Sequence, residues 1–201
     1  MKINEQGRSM IEMLGVLAII GVLSVGGFNM VNKMQTSYSN NQVLDAAGEL
    51  ATRTRVLMRD YDGEENTSMN KFLCKGKAVP DALMENVDCD NVSEFTGESD
   101  VKYNVFYLGQ KVTFVVQVQN VTEEMCMAFV TTNWGTPGTS GFLGVSVGDK
   151  YDDVNKYDVN KVPASDTIAI VGDADKPAPM GIGTAAKACS GDGLTINLSY
   201  R

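Results

Sequence analysis

Residues Gly7 to Ser24 read G-R-S-M-I-E-M-L-G-V-L-A-I-I-G-V-L-S, and after Glu12 no charge appears until Lys33. The apolar character runs on to Val31, interrupted by Ser24 and Asn29. That is close to the roughly 20 residues a helix needs to cross a bilayer. A carboxylate at the mouth of such a run is costly unless it finds a partner, so it marks a functional position. Five positions before Glu12 stands Gly7, at the end of a short polar leader, M-K-I-N-E-Q. The leader carries one Lys and one Glu, so it lacks the basic character of an ordinary secretory signal.

The arrangement G-R-S-M-I-E followed by an apolar run resembles the type III signal of type IV pilins and pilin-like proteins. The resemblance implies that a prepilin peptidase cuts after Gly7, that Arg8 becomes the N-methylated first residue, and that Glu12 neutralises a neighbouring subunit's N-terminal amine during assembly. Arg8 departs from the family, which usually has an apolar residue there; cleavage depends chiefly on the glycine. The resemblance also implies four regions: a leader over 1–7, a transmembrane and filament-core helix over 8–31, an amphipathic helix over 32–59 and a globular head over 60–201. The partners it implies are other copies of the chain, the peptidase, the inner-membrane assembly machinery and the membrane itself. The subunit would sit in the bacterial inner membrane before assembly and in a surface or periplasm-spanning filament afterwards.

The chain has 201 residues, enough for one domain with a real core and an extended terminal element. Its 17 Lys and Arg against 25 Asp and Glu leave a net charge of −8, a poor footprint for nucleic acid. There is no histidine, so the commonest general base and metal ligand are missing. Cys74, Cys89, Cys126 and Cys189 have neither C-x-x-C spacing nor a histidine to suggest zinc. In an exported chain they read as two disulfides, with three connectivities open. The favoured pairs are Cys74–Cys89, a local loop, and Cys126–Cys189, which resembles the bridge framing the C-terminal variable region of type IVb pilins.

Beyond the polar stretch 32–42, Val43, Leu44, Ala47, Leu50, Ala51, Leu57 and Met58 recur at helical spacing. One long helix is expected from Ser9 to Arg59, apolar and then amphipathic, stopped at Asp60-Tyr61-Asp62-Gly63. Residues 64–100 read as irregular, with a short helix near Pro80 to Asn86. Y-N-V-F-Y-L and K-V-T-F-V-V-Q-V-Q around Gly109-Gln110 predict a hairpin. Thr122-Glu123-Glu124 opens a capped helix holding Cys126. F-L-G-V-S-V, T-I-A-I-V and L-T-I-N-L-S-Y predict three more strands. The fold class expected is α+β: a long N-terminal helix packed on an antiparallel sheet, pilin-like.

Candidate chemistry outside the N-terminal signal is sparse. Tyr151 to Lys161, Y-D-D-V-N-K-Y-D-V-N-K, is dense in oxygen ligands, but its spacing is not that of an EF-hand and it reads as a solvated loop. Gly172-Asp173-Ala174-Asp175 reads as a turn. No nucleophile elbow, P-loop or dinucleotide motif is present. Trp134, Tyr103, Phe106 and Tyr107 sit at core spacing. The expectation is a non-enzymatic filament subunit with no metal or cofactor. The competing class is a single-pass, membrane-anchored periplasmic binding protein or enzyme.

Overall fold

The computed structural model describes residues 37–58, 61, 63–64, 67–109, 113–148, 168–175 and 177–201, with Met13, Leu17 and Met34. The chain divides into two compact units, Met1–Ser39 and Asn40–Arg201, and the sheet belongs to the second. Gly7, Arg8 and Glu12, the rest of the apolar stretch 8–31 and the Asp-rich segment 151–161 lie outside the described residues, as does most of the expected helix upstream of residue 37. Among the described residues no helix is long and apolar enough to cross a membrane.

Helix α1 covers residues 37–57, and Met58 tightens into a 3-10 turn. Its buried stripe is Val43, Ala46, Ala47, Leu50, Ala51, Thr54 and Met58, at the three- and four-residue steps of one helical face. Leu44 and Leu57 flank that stripe, half-buried against the core. Three alanines bring the helix backbone close to its neighbours, and a fully buried Val or Leu adds about 1.5–3 kcal/mol. The Tyr103 hydroxyl, from the sheet, donates to the Val43 carbonyl at 3.2 Å. Burial pushes that phenol well above its ordinary pKa, so it stays a donor.

Among the described residues the sheet has seven strands: β1 (Thr67–Ser68), β2 (Phe95–Thr96), β3 (Lys102–Tyr107), β4 (Phe114–Val121), β5 (Phe142–Val147), β6 (Ile168–Ile170) and β7 (Leu194–Tyr200). Their order is β1-β3-β4-β7-β5-β6, with β2 also on β3, and every pairing between them is antiparallel. Val105, Val116, Leu198 and Val145 lie side by side across β3, β4, β7 and β5 and join the core cluster with α1. One residue along, the opposite face carries a polar row, Asn104, Gln117, Asn197 and Ser146, also in register and buried. The Gln117 amide donates to Asn197 Oδ1 at 3.0 Å.

The hairpin forms, but its turn is wider than the two-residue turn expected at Gly109-Gln110. Tyr107 pairs with Phe114, and the Leu108 amide donates to the Thr113 carbonyl at 2.9 Å. Alternation of apolar and polar residues cannot separate registers two residues apart, because both keep every side chain on its face. The observed register sets Asn104 beside Gln117 and Lys102 beside Gln119, polar against polar.

The outer edge of β3 is closed in three pieces. β1 pairs with Phe106 and Tyr107, and β2 with Lys102 and Tyr103. Between them the Met69 amide donates to the Val105 carbonyl at 2.8 Å, while the Val105 amide donates to Asn70 Oδ1 at 2.9 Å. Asn70 opens helix α2 (Asn70–Lys75), where the sequence suggests irregular chain. The short helix expected near Pro80 is a single 3-10 turn, Asp81–Leu83.

Candidate functional site

Helix α3 (Glu123–Thr131) begins where the sequence places it: Thr122 caps it, accepting from the Met125 amide at 3.3 Å, with Glu123 and Glu124 in the first turn. Met125, Cys126, Phe129 and Val130 turn inward. Helix α4 (Ile182–Ala188), which hydrophobic spacing does not reveal, lies against α3. Cys126 on α3 is bonded to Cys189, the residue after α4, with Cα atoms 5.6 Å apart and 63 positions between them in sequence. Two further ties hold this region: the Met180 amide to the Val130 carbonyl and the Gly191 amide to Glu123 Oε1, each 2.8 Å. β7 comes soon after, so the bridge fixes how that strand enters the sheet.

The other two cysteines, Cys74 on α2 and Cys89, are bonded with Cα atoms 5.4 Å apart. Both pairs are the favoured ones. The chain around Cys89 is acidic: Asp88 accepts from the Asn91 side chain and from the Asp90 amide, and Asp90 pairs with Lys75 at 2.7 Å. Those two hydrogen bonds, the Asn91 one foremost, hold the Asp88 carboxyl below its ordinary range. Among the described residues no group of His, Cys, Asp and Glu is arranged to hold a metal ion. Asp173 and Asp175 form a simple turn, the Asp175 amide donating to Asp173 Oδ1 at 2.8 Å.

A groove of about 720 Å³ runs along α1, walled on its other side by the loop after α3 and floored by Tyr200. Trp134 stands in it, stacked on Phe129 at 5.7 Å, its indole N–H donating to the Phe129 carbonyl at 2.8 Å. Gly48 makes room for the indole: a Cβ there would lie 3.3 Å from the ring. Arg55 crosses to the loop, donating to the Thr139 carbonyl at 3.0 Å. Sequence reasoning misses the groove because its walls, near residues 48, 134 and 200, meet only through the tertiary fold.

No known family's sequence profile matches the chain, and no curated protein matches it. Among solved structures it matches the crystal structure of the type IVb pilin from Salmonella typhi with a TM-score of 0.52 and 16% sequence identity, over 80% of this chain and 99% of that one. The chain has a pilin-like fold. At that identity the likeness is one of architecture. A helix lies on an antiparallel sheet, as the sequence predicts for the pilin-like class, and the cysteine frame beside β7 is built on that scaffold.

Proposed function

We propose that this chain is a structural subunit of a type IV pilus-like filament, of the type IVb kind. The pilin-like fold of the head carries the reading, because it lies downstream of G-R-S-M-I-E and its apolar run, two features that meet in pilins. A prepilin peptidase cuts after Gly7 and the Arg8 amine is methylated. The helix over 8–31 holds the subunit in the inner membrane and then moves into the filament core. Met13 and Leu17, one helical turn apart, are exposed at 71% and 63% and need a cover of lipid or of neighbouring helices. In the filament Glu12 pairs with a neighbour's N-terminal amine, because an unpartnered charge in that core is expensive. Subunits related by a screw operation make contacts that do not close, so the array grows as a helix. The work is mechanical and adhesive, with no catalytic step.

The decisive measurement is the intact mass of the protein from sheared surface material, without reducing agent. The expected species begins at Arg8, carries one added methyl group and has lost four hydrogens to two disulfides. A chain beginning at Met1 and confined to membranes overturns the reading in favour of an anchored binding protein. In parallel, Glu12→Ala is expected to leave the membrane pool intact and to abolish incorporation into filaments.

A further inference from the structure

Of the two bridges, one is sealed and one faces outward. Cys126 is completely buried and Cys189 is 3% exposed. Cys74 is 2% exposed, with Met84 Sδ lying 4.0 Å from its sulfur. Cys89 is the exception among the four: it is half-buried, on a stretch where Glu85, Asn86, Asp88, Asp90 and Asn91 are all exposed. A thiolate opens a disulfide by attacking one of its sulfurs, and access decides which one is struck. Here that sulfur is on Cys89, and Cys74 is the leaving group.

The chain around this bridge is anchored on both sides. Ala78, Val79 and Leu83 before it and Val92 and Phe95 after it are buried in the core. Arg53 on α1 also donates to the Val79 carbonyl at 3.0 Å. Between these anchors, residues 84–91 include none that is fully buried. They are tied by the Asp88–Asn91 and Lys75–Asp90 contacts. Opening Cys74–Cys89 therefore frees this short segment and leaves the core and sheet in place, so the bridge can close again.

Charge selects the attacker. From residue 78 to residue 101 the chain has seven carboxylates and no Lys or Arg. Lys71 and Lys75 on α2 act on Asp88, Lys77 follows α2, and Lys102 pairs with Glu94, which leaves the region acidic. Glu85, Asp88 and Glu94 line one pocket of about 270 Å³ there. Such a surface repels an anionic thiol and draws in one whose sulfur stands beside a cation.

We propose that Cys74–Cys89 is an exchangeable bridge, opened at Cys89 by a thiol that carries positive charge beside its sulfur, while Cys126–Cys189 stays closed. First, the incoming thiolate bonds to Cys89 Sγ, and the electron pair of the broken S–S bond leaves on Cys74 Sγ, which takes a proton from water. Then a second thiolate, from the same dithiol or another molecule, bonds to the reagent's sulfur and releases Cys89 as a thiolate, which is protonated likewise. The bridge gains two electrons and two protons, and the reagent becomes a disulfide. The partner class is a dithiol on a thiol–disulfide exchange protein with a basic rim. The inference concerns the head alone, so its failure and that of the filament reading are separate events.

The test treats the folded full-length protein, in detergent at low salt, with cysteamine, mercaptoethanol or mercaptoethanesulfonate at equal thiolate concentration. Iodoacetamide stops the reaction, and peptide masses report each cysteine. Cys74 and Cys89 are expected to react at least about tenfold faster than Cys126 and Cys189, with the first adduct on Cys89. Cysteamine is expected to outpace the sulfonate at least about threefold, a ratio that falls toward one in about 1 M salt and in the Glu85→Gln, Asp88→Asn double variant. Loosening the segment would speed both reagents alike, so the ratio isolates charge. Opening of both bridges at one rate, a first adduct on Cys74, or equal rates for the cationic and anionic thiols at low salt overturns the proposal.

Discussion

Individual positions in the head have sharply different tolerances. Gly141 sits at φ +75°, and a Cβ there would lie 2.2 Å from the Arg201 carbonyl oxygen and 3.0 Å from the Arg55 guanidinium carbon. Both the backbone region and the space demand glycine, so Gly141→Ala is expected to cost about 2 kcal/mol or more in urea unfolding. Thr54 is the opposite case. It is fully buried in α1 and its hydroxyl has no partner among the described residues. Thr54→Val keeps the shape and removes an unsatisfied group, so unfolding is expected to shift toward greater stability by about 1 kcal/mol. Asp88 is readable by titration. Its folded value lies below the ordinary 3.8, so what its contacts contribute is complete above 3.8 and is lost as pH falls through the lower folded value. Carboxyl NMR should therefore place its midpoint under 3.8; a midpoint at or above it would refute this account of the loop.

Elements that announce themselves in the sequence do so by period or by cap. α3 is legible because Thr122 and two glutamates precede an apolar run, and β4 because Val115, Val116 and Val118 flank alternating glutamines. The stripe of α1 is legible too, although it runs through Ala46 and Thr54 rather than Leu44 and Leu57 at its centre. α2 is hidden because six residues, N-K-F-L-C-K, do not complete two helical turns, so no period can emerge. α4 is hidden by Gly181, Gly183 and the lack of a side-chain cap. β1 and β2 have two residues each and exist only because β3 offers them an edge. Asn70 splices those two strands, so Asn70→Ala is expected to cost about 2–3 kcal/mol by leaving the Val105 amide buried without an acceptor. Faster hydrogen exchange at Val105 is the local signature.

For the molecule as a whole, the two disulfides act on different lengths of chain. By loop-closure entropy, Cys74–Cys89 with a separation of 15 contributes about 3 kcal/mol and Cys126–Cys189 with 63 contributes about 4 kcal/mol. Replacing the second pair with alanine is thus expected to lower the denaturation midpoint more than replacing the first. It should also loosen β7, which the first pair does not touch. The even cysteine count, without zinc-like spacing or histidine, already points to two bridges. The groove is illegible for a complementary reason: α1, the loop at Trp134 and the end of β7 carry no shared motif, and only the sheet order places them together.

That sheet order bears on when the protein can fold. β4 and β5 do not pair with each other; both lean on β7, at residues 194–200. While the chain is still emerging from the ribosome, its two half-sheets have bare facing edges and nothing to join them. The head therefore closes in a single late event, after residue 200 is free, and a quality-control protease meeting a stalled chain would find an open sheet rather than a finished domain.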